Sequence, residues 1–487
     1  MPVHDVIPFA TWVAVVSAAG LLAVWSNRIT EVLRVPAPAL FLVAAAVVAA
    51  VVPSAGDLGV VAVQRIVTVM LVLLLFDGGL HLGWHRLRPA VAAVAWVGVM
   101  GTFVTTAGIA VAAHLLGFDW RPALLLGVAL APTDPAVVFS VLGRREVGGR
   151  SGTILEGESG ANDPVGIAAM AAVLAAGSAG SWHAVGSGVR EFLLEMVVGA
   201  ACGLVGGWLL GRAMRRVPLP SGALYPLQTL LGAGVIYGGT TLLHGSGFLA
   251  VFVAGVLLGD LRAPYKPEIE RFHSSLASLA EIVAFAVLGL TVDFGELTTG
   301  DRLAVALVLA VVTALAVRPL LVGLVTLPLR LTAGERVFVL WSGLKGAVPI
   351  LLGTYLLTAR VDDGQRLYAV VVVVVAFSVV VQGGLVPFVA RRSGVPMRTV
   401  EPEPWALGMR FRDEPTGMHR FHVAAGAPAD GCSLDDLALG EDAWVSLVSR
   451  SGALVPVRGD LVLEPGDEVL LLAGSADDAA LRDLFGA

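Results

Sequence analysis

The chain has 487 residues, 56% of them hydrophobic and only 14% charged, with a formal net charge of −6 and a mean hydropathy of +0.84. Soluble domains carry about 25% charged residues, and no single buried core absorbs so many apolar runs of about 20 residues, the length that crosses ~30 Å of hydrocarbon. The absence of a basic stripe excludes nucleic acid as a partner, and two cysteines, Cys202 and Cys432, exclude a disulfide framework or a cysteine metal site.

Thirteen apolar segments succeed one another, at 6–25, 36–54, 59–82, 89–114, 122–143, 152–177, 190–211, 222–243, 247–260, 274–292, 302–327, 334–358 and 367–390. The first lacks the basic flank of a cleaved signal peptide and reads as a retained span. Lys and Arg alternate strongly between loops. Those after odd-numbered spans hold eighteen, among them Arg86, Arg88, Arg215, Arg216, Arg391 and Arg392. Those after even-numbered spans hold five: Arg121, Arg190, Arg302, Arg360 and Arg366. Cytoplasmic loops are the enriched ones. The sequence therefore predicts a multi-pass protein of the cell (inner) membrane, in contact with lipid, with its N-terminus outside and its C-terminal tail in the cytoplasm.

Ionisable residues inside spans cost roughly 2.5–3.5 kcal/mol each on insertion scales and are functional candidates by default. In chain order, span 3 ends in Leu75-Phe76-Asp77-Gly78-Gly79, and span 5 contains Ala131-Pro132-Thr133-Asp134-Pro135. Span 6 contains Glu158-Ser159-Gly160-Ala161-Asn162-Asp163-Pro164. Glu281 lies in span 10, Arg318 in span 11, and Lys345 in span 12 within Gly343-Leu344-Lys345-Gly346-Ala347-Val348-Pro349.

Pro132 and Pro135 remove two backbone donors and clash with the preceding turn, so span 5 is predicted to be broken. Gly343, Gly346 and Pro349 around Lys345 predict a second break in span 12. At membrane depth such breaks are tolerated only around a cavity, and in transporters they mark the site. Their separation by seven spans fits matching places in two inverted repeats. The fold expected is an all-α polytopic membrane protein of about 13 helices, with a small α+β cytoplasmic domain. Ser159, Asn162 and Asp163 share one helix face through i, i+3 and i+4 spacing. With the freed carbonyls of the break they offer a hard cation such as Na⁺ or K⁺ its carboxylate, amide, hydroxyl and carbonyl oxygens. A carboxylate withdrawn from water also binds protons more tightly. Competition between cation and proton for one carboxylate is sufficient for exchange. Glu281 is expected to pair with Arg318, and Glu158 with Lys345, as structural ion pairs.

On these residues the chain, over 6–392, resembles the NhaP-type branch of the monovalent cation:proton antiporters. Thr133-Asp134-Pro135 and Glu158-Ser159-x-x-Asn162-Asp163 carry the resemblance. Phe76-Asp77-Gly78-Gly79-Leu80 is similar to a family stretch that often has Glu at the acidic position. The stretch from Gly343 to Pro349 is similar to one that usually carries Arg where Lys345 stands. The resemblance implies that Asp163 carries the cation and the proton, with Thr133, Ser159 and Asp77 as further oxygen ligands, and with Asn162 and Asp134 stabilising the crossing of the unwound helices. It implies a transporter rather than an enzyme, electroneutral exchange, a homodimer and an elevator-like motion.

The composition changes after Arg398, and Glu401-Pro402-Glu403-Pro404 reads as a linker. Strand signals follow at 421–424, 444–448 and 469–472, Pro465-Gly466-Asp467 reads as a turn, and 475–485 as a closing helix. The division expected is an antiporter domain at 1–395, a linker at 396–417 and a regulatory domain at 418–487. The last resembles the TrkA-C lobe of regulators of potassium conductance, which implies dimerisation and an unknown regulatory ligand and favours K⁺ over Na⁺. No Gly-rich dinucleotide site accompanies it, so no cofactor is expected. An intramembrane serine protease, raised by Gly157-Glu158-Ser159-Gly160, lacks a histidine at matching depth. A potassium channel lacks a carbonyl filter sequence, and an organic-solute porter lacks the aromatic lining such sites tend to use.

Overall fold

The computed structural model describes residues 20–21, 36–51, 59–142, 145–147, 149–176, 182–261, 263–292, 295, 301–395, 397–399, 418–437, 439, 443–450, 453–472 and 478–486. Most of the first expected span and, of the linker expected at 396–417, all but Met397–Thr399 lie outside them. The chain divides into two units, Met1–Ala406 and Leu407–Ala487.

In the first unit the apolar runs are helices: α1 Ala37–Val51 and α2 Val60–Leu87, then α3, made of Val91–Ala95, a π-helical turn Trp96–Met100, and Gly101–Leu115. The helical run from Val60 to Leu115 has 56 residues, roughly 84 Å at 1.5 Å per residue, too long for one crossing. It kinks where Gly83 takes φ 59 and ψ 160, a conformation open to glycine. Next come α4 Trp120–Leu130, α5 Ala136–Leu142, β1 Arg145–Val147 and α6 Gly149–Ala176. They are followed by α7 Trp182–Arg216, α8 Leu224–Leu242, α9 Gly247–Gly259 and α10 Lys266–Leu290. The helix α11 runs from Arg302–Val312 through a π-helical stretch, Thr313–Val322, to Gly323–Val325. The set closes with α12 Ala333–Trp341, α13 Ala347–Thr358 and α14 Gly364–Phe377, extended by a π-helical turn Ser378–Gln382. Then come α15 Val386–Ser393 and β2 Met397–Thr399.

The run expected as one last span at 367–390 is therefore divided. The helix is interrupted at Leu385, just after Gly383 and Gly384, and α15 begins with Pro387 in its first turn. β2 pairs antiparallel with β1, in the connection that joins α5 to α6.

Large apolar side chains face outward along these helices, among them Leu194, Val197, Leu231, Val235 and Leu324. In water that surface would aggregate, and in lipid it is the solvated face. Between helices small residues allow close approach. A Cβ on Gly79 of α2 would lie 2.5 Å from the Phe252 carbonyl of α9, and one on Gly255 of α9 would lie 2.5 Å from the Phe76 carbonyl of α2.

The second unit has a four-stranded sheet in the order β3-β6-β4-β5, all neighbours antiparallel: β3 Met418–His422, β4 Trp444–Arg450, β5 Ala453–Val455 and β6 Glu468–Leu472. The helix α16, Asp478–Phe485, closes it. Phe421, Val448, Val469, Leu471, Leu481 and Phe485 form its own core.

Candidate functional site

Both expected breaks are present, at residues 131–135 between α4 and α5 and at 342–346 between α12 and α13. They touch: the Asp134 N–H donates to the Leu344 carbonyl at 2.8 Å. Each charge at the crossing meets a helix end of opposite sign. The Asp134 carboxylate accepts from the N–H of Ala136 at 2.9 Å and from that of Ala347, the first residues of α5 and α13. An anion at two half-helix N-termini satisfies orphan donors and both dipoles. Gly346 is required there, because a Cβ would enter the Asp134 carboxylate. Lys345 Nζ donates to the carbonyls of Ala131 at 3.0 Å and Pro132 at 3.3 Å, where α4 ends. Arg318 Nε donates to the Leu340 carbonyl at 2.9 Å and Nη2 to that of Val339 at 3.3 Å, where α12 ends. A cation at each half-helix C-terminus completes the pattern.

This geometry revises both expected pairings. Glu158 pairs with Arg318, which donates to its two oxygens at 2.9 and 3.2 Å, both side chains being buried. Lys345 serves the carbonyls of the first break, and Glu281 stands apart from Arg318 on the wall of a cavity. The physical reason is reach. A guanidinium spreads five donors over a planar fork and can hold a carboxylate and two carbonyls at once, whereas an ammonium gathers its three donors at one atom and here serves two neighbouring carbonyls.

The face of α6 predicted to point at the break does so. Asn162 Nδ2 donates to Thr133 Oγ1 at 2.7 Å, and Ser159 Oγ donates to Asp163 Oδ2 at 3.4 Å. Asp163 is buried at 5% exposure, and its Oδ1 has no hydrogen-bond partner among the described residues. Pro164, one residue on, removes the N–H that would have bonded the Gly160 carbonyl. Asp163, Ser159, Gly160 and Asp134 all line a cavity of about 700 Å³.

Asp77 lines the opposite wall, on α2. It faces His81 at 3.3 Å and accepts from Ser274 Oγ of α10 at 3.4 Å. Glu281, two turns further along α10, has an oxygen, Oε1, without a partner among the described residues. Toward the mouth stand Val147, Arg86 and Glu156, the last two 3.4 Å apart. Val147 is the last residue of β1, so the cavity reaches the β1–β2 pair.

Sequence reasoning missed His81 and Ser274. It also missed Ser378 and Gln382, which bond the second break from α14. Two polar residues, i and i+4, in a span otherwise almost all valine were a readable signal. The search for charges alone passed over them. The three π-helical segments were not legible, yet each packs against a site element. Gly98 meets Ala161 of α6, Arg318 holds Glu158, and Ser378 holds Lys345.

The model of the family described as sodium/hydrogen exchanger, transmembrane, matches residues 15–392, and that of the TrkA-C domain matches 418–486. A K(+)/H(+) antiporter NhaP of Alkalimonas amylolytica is 35% identical over 419 residues, 84% of this chain and 72% of that one. A K(+)/H(+) antiporter NhaP2 of Shewanella sp. (strain ANA-3) is 30% identical over 427 residues, 85% of this chain and 72% of that one. The fold is like that of the sodium proton antiporter MjNhaP1 from Methanocaldococcus jannaschii. The TM-score is 0.65 at 19% identity, over 80% of this chain and 98% of that one.

Proposed function

The chain belongs to the sodium/hydrogen exchanger family, and from that premise we propose that it exchanges a monovalent cation for H⁺ by alternating access. Asp163 binds the two in turn. The observation that carries this reading is the divided use of charge at the crossing. Glu158, Arg318, Lys345 and Asp134 are committed to one another or to helix ends. Asp163 keeps an oxygen without a protein partner on the wall of an open cavity. Thr133, Ser159 and, across the cavity, Asp77 supply further oxygens, and Asn162 holds the first break in register. Cation and proton exclude each other at one carboxylate, so each crossing carries one of them and the exchange is electroneutral.

Potassium is the substrate we favour over sodium. Two relatives are named K(+)/H(+) antiporters, and the TrkA-C lobe is of a type associated with potassium transport. In this reading about thirteen spans form two inverted repeats, the protein is a homodimer in the cell membrane, and the cavity faces the cytoplasm. The tail binds a regulatory ligand there.

The test is proton efflux from acid-loaded proteoliposomes carrying a pH-sensitive dye, with K⁺, Na⁺ and Li⁺ added in turn. Wild type is expected to alkalinise with K⁺ most effectively, and Asp163→Asn to lose the response at least a hundredfold, about 2.7 kcal/mol or more. Normal exchange by Asp163→Asn would remove the site. Potassium flux without protons in wild type would replace the antiporter with a channel.

A further inference from the structure

The second break is a stretch of buried backbone outside any helix, and each of its polar groups needs the partner that water would supply elsewhere. Leu344 finds its own: its N–H donates to the Ser342 carbonyl at 2.8 Å, and its carbonyl accepts from Asp134. Lys345 and Trp341 are served from another helix. The Lys345 N–H donates to Ser378 Oγ at 2.9 Å, and Ser378 Oγ donates to Gln382 Oε1 at 3.0 Å. Gln382 Nε2 then donates to the Trp341 carbonyl at 2.7 Å, and Trp341 Nε1 donates back to the Gln382 carbonyl at 3.1 Å.

Two side chains of α14 thus tie the exit of the break to its entry. Both are buried, at 2% and 4% exposure. They sit on a π-helical turn, a costly local widening that recurs at functional sites. A void of only about 10 Å³ lies among Arg318, Gly343, Lys345, Ser378 and Gln382.

We propose that Ser378 and Gln382 are positioning residues for the exchange reaction: they clamp the second break so that Lys345 reaches across and caps the first beside Asp163. The inference rests on the exchange reading above. Ser378 fixes the backbone of Lys345, and Lys345 Nζ fixes the carbonyls of Ala131 and Pro132. Thr133 follows directly in the chain and is held by Asn162, next to Asp163. The Lys345 ammonium also lies in the field of Arg318, Glu158 and Asp163. Releasing the clamp lets that charge move relative to Asp163, which changes cation affinity and pH dependence together.

The experiment compares wild type, Ser378→Ala, Ser378→Thr and Gln382→Leu as full-length protein in the proteoliposome assay. Folded protein is quantified by size-exclusion chromatography. Ser378→Ala and Gln382→Leu are expected to raise the cation KM about tenfold, equivalent to about 1.4 kcal/mol, and to displace the pH profile. Ser378→Thr, which keeps the hydroxyl, restores both. Unchanged KM and pH profile in Ser378→Ala and Gln382→Leu, with any lost rate matched by lost folded protein, would reduce the pair to scaffolding and overturn the inference. Wild type without exchange would overturn the functional reading, and this inference with it. Active wild type beside unaffected variants would overturn this inference alone.

Discussion

Arg318 shows how one residue in a membrane interior satisfies its cost. Its guanidinium meets Glu158 and the carbonyls of Val339 and Leu340, so charge, counter-charge and helix end neutralise one another. Gly343 makes room for it, since a Cβ there would enter the guanidinium. Removing one partner strands the other charge, a loss of about 3–5 kcal/mol for a buried pair. We expect Arg318→Met and Glu158→Leu each to destabilise the protein by about that much in detergent unfolding. The double variant is expected to cost clearly less than the sum, because both charges go together. Additive losses in that cycle would mean the two residues act separately.

At the scale of elements, the half-helix arrangement is one rule applied twice. Asp134 stands at the N-termini of α5 and α13, Lys345 at the end of α4 and Arg318 at the end of α12. The second unit applies the same accounting. Arg450 on β4 holds both oxygens of Asp467 at 2.8 and 2.7 Å, across the turn that leads into β6. That hydrogen-bonded guanidinium, assisted by the Glu464 N–H, holds the Asp467 carboxyl below the usual carboxylate range. A carboxyl lowered on folding contributes stability above its unfolded value, about 3.9, and loses it as pH falls through the folded value. Acid titration of a 407–487 fragment by circular dichroism tests this. The advantage of wild type over Asp467→Asn is expected to be constant near neutral pH and to shrink below about pH 4. An advantage that persisted unchanged to pH 2 would show that Asp467 acts through shape alone.

For the whole molecule, the cavity of about 700 Å³ extends from Asp163 to Val147 beside the β1–β2 pair, with the half-exposed Arg86 on its wall. Tyr355 of α13 bonds Gln64 and Thr68 of α2, and Tyr368 of α14 bonds Thr291 at the end of α10. The proposed orientation makes the open face cytoplasmic. A cysteine at Ser278, on the cavity wall, is then expected to react with a membrane-impermeant maleimide only from the cytoplasmic side. The background for this test is Cys202→Ser and Cys432→Ser. Labelling from outside in intact cells would reverse the orientation.

The broken helices, the acidic face of α6 and the strand pattern of the tail were legible in the sequence because each rests on local rules. Proline removes a donor, i and i+4 share a face, and alternation marks a half-buried strand. So was the membrane itself, since apolar length needs no partner to be read. Which charge meets which was decided only in three dimensions. Arg318 is 160 residues from Glu158, and Lys345 is 214 residues from the Ala131 carbonyl it meets, so nothing local states that a guanidinium will reach the carboxylate while an ammonium reaches the carbonyls. The same holds for Ser378 and Gln382, whose partners are main-chain groups freed by a break in another helix. A backbone group needs a partner only where tertiary packing has both unwound it and shut out water.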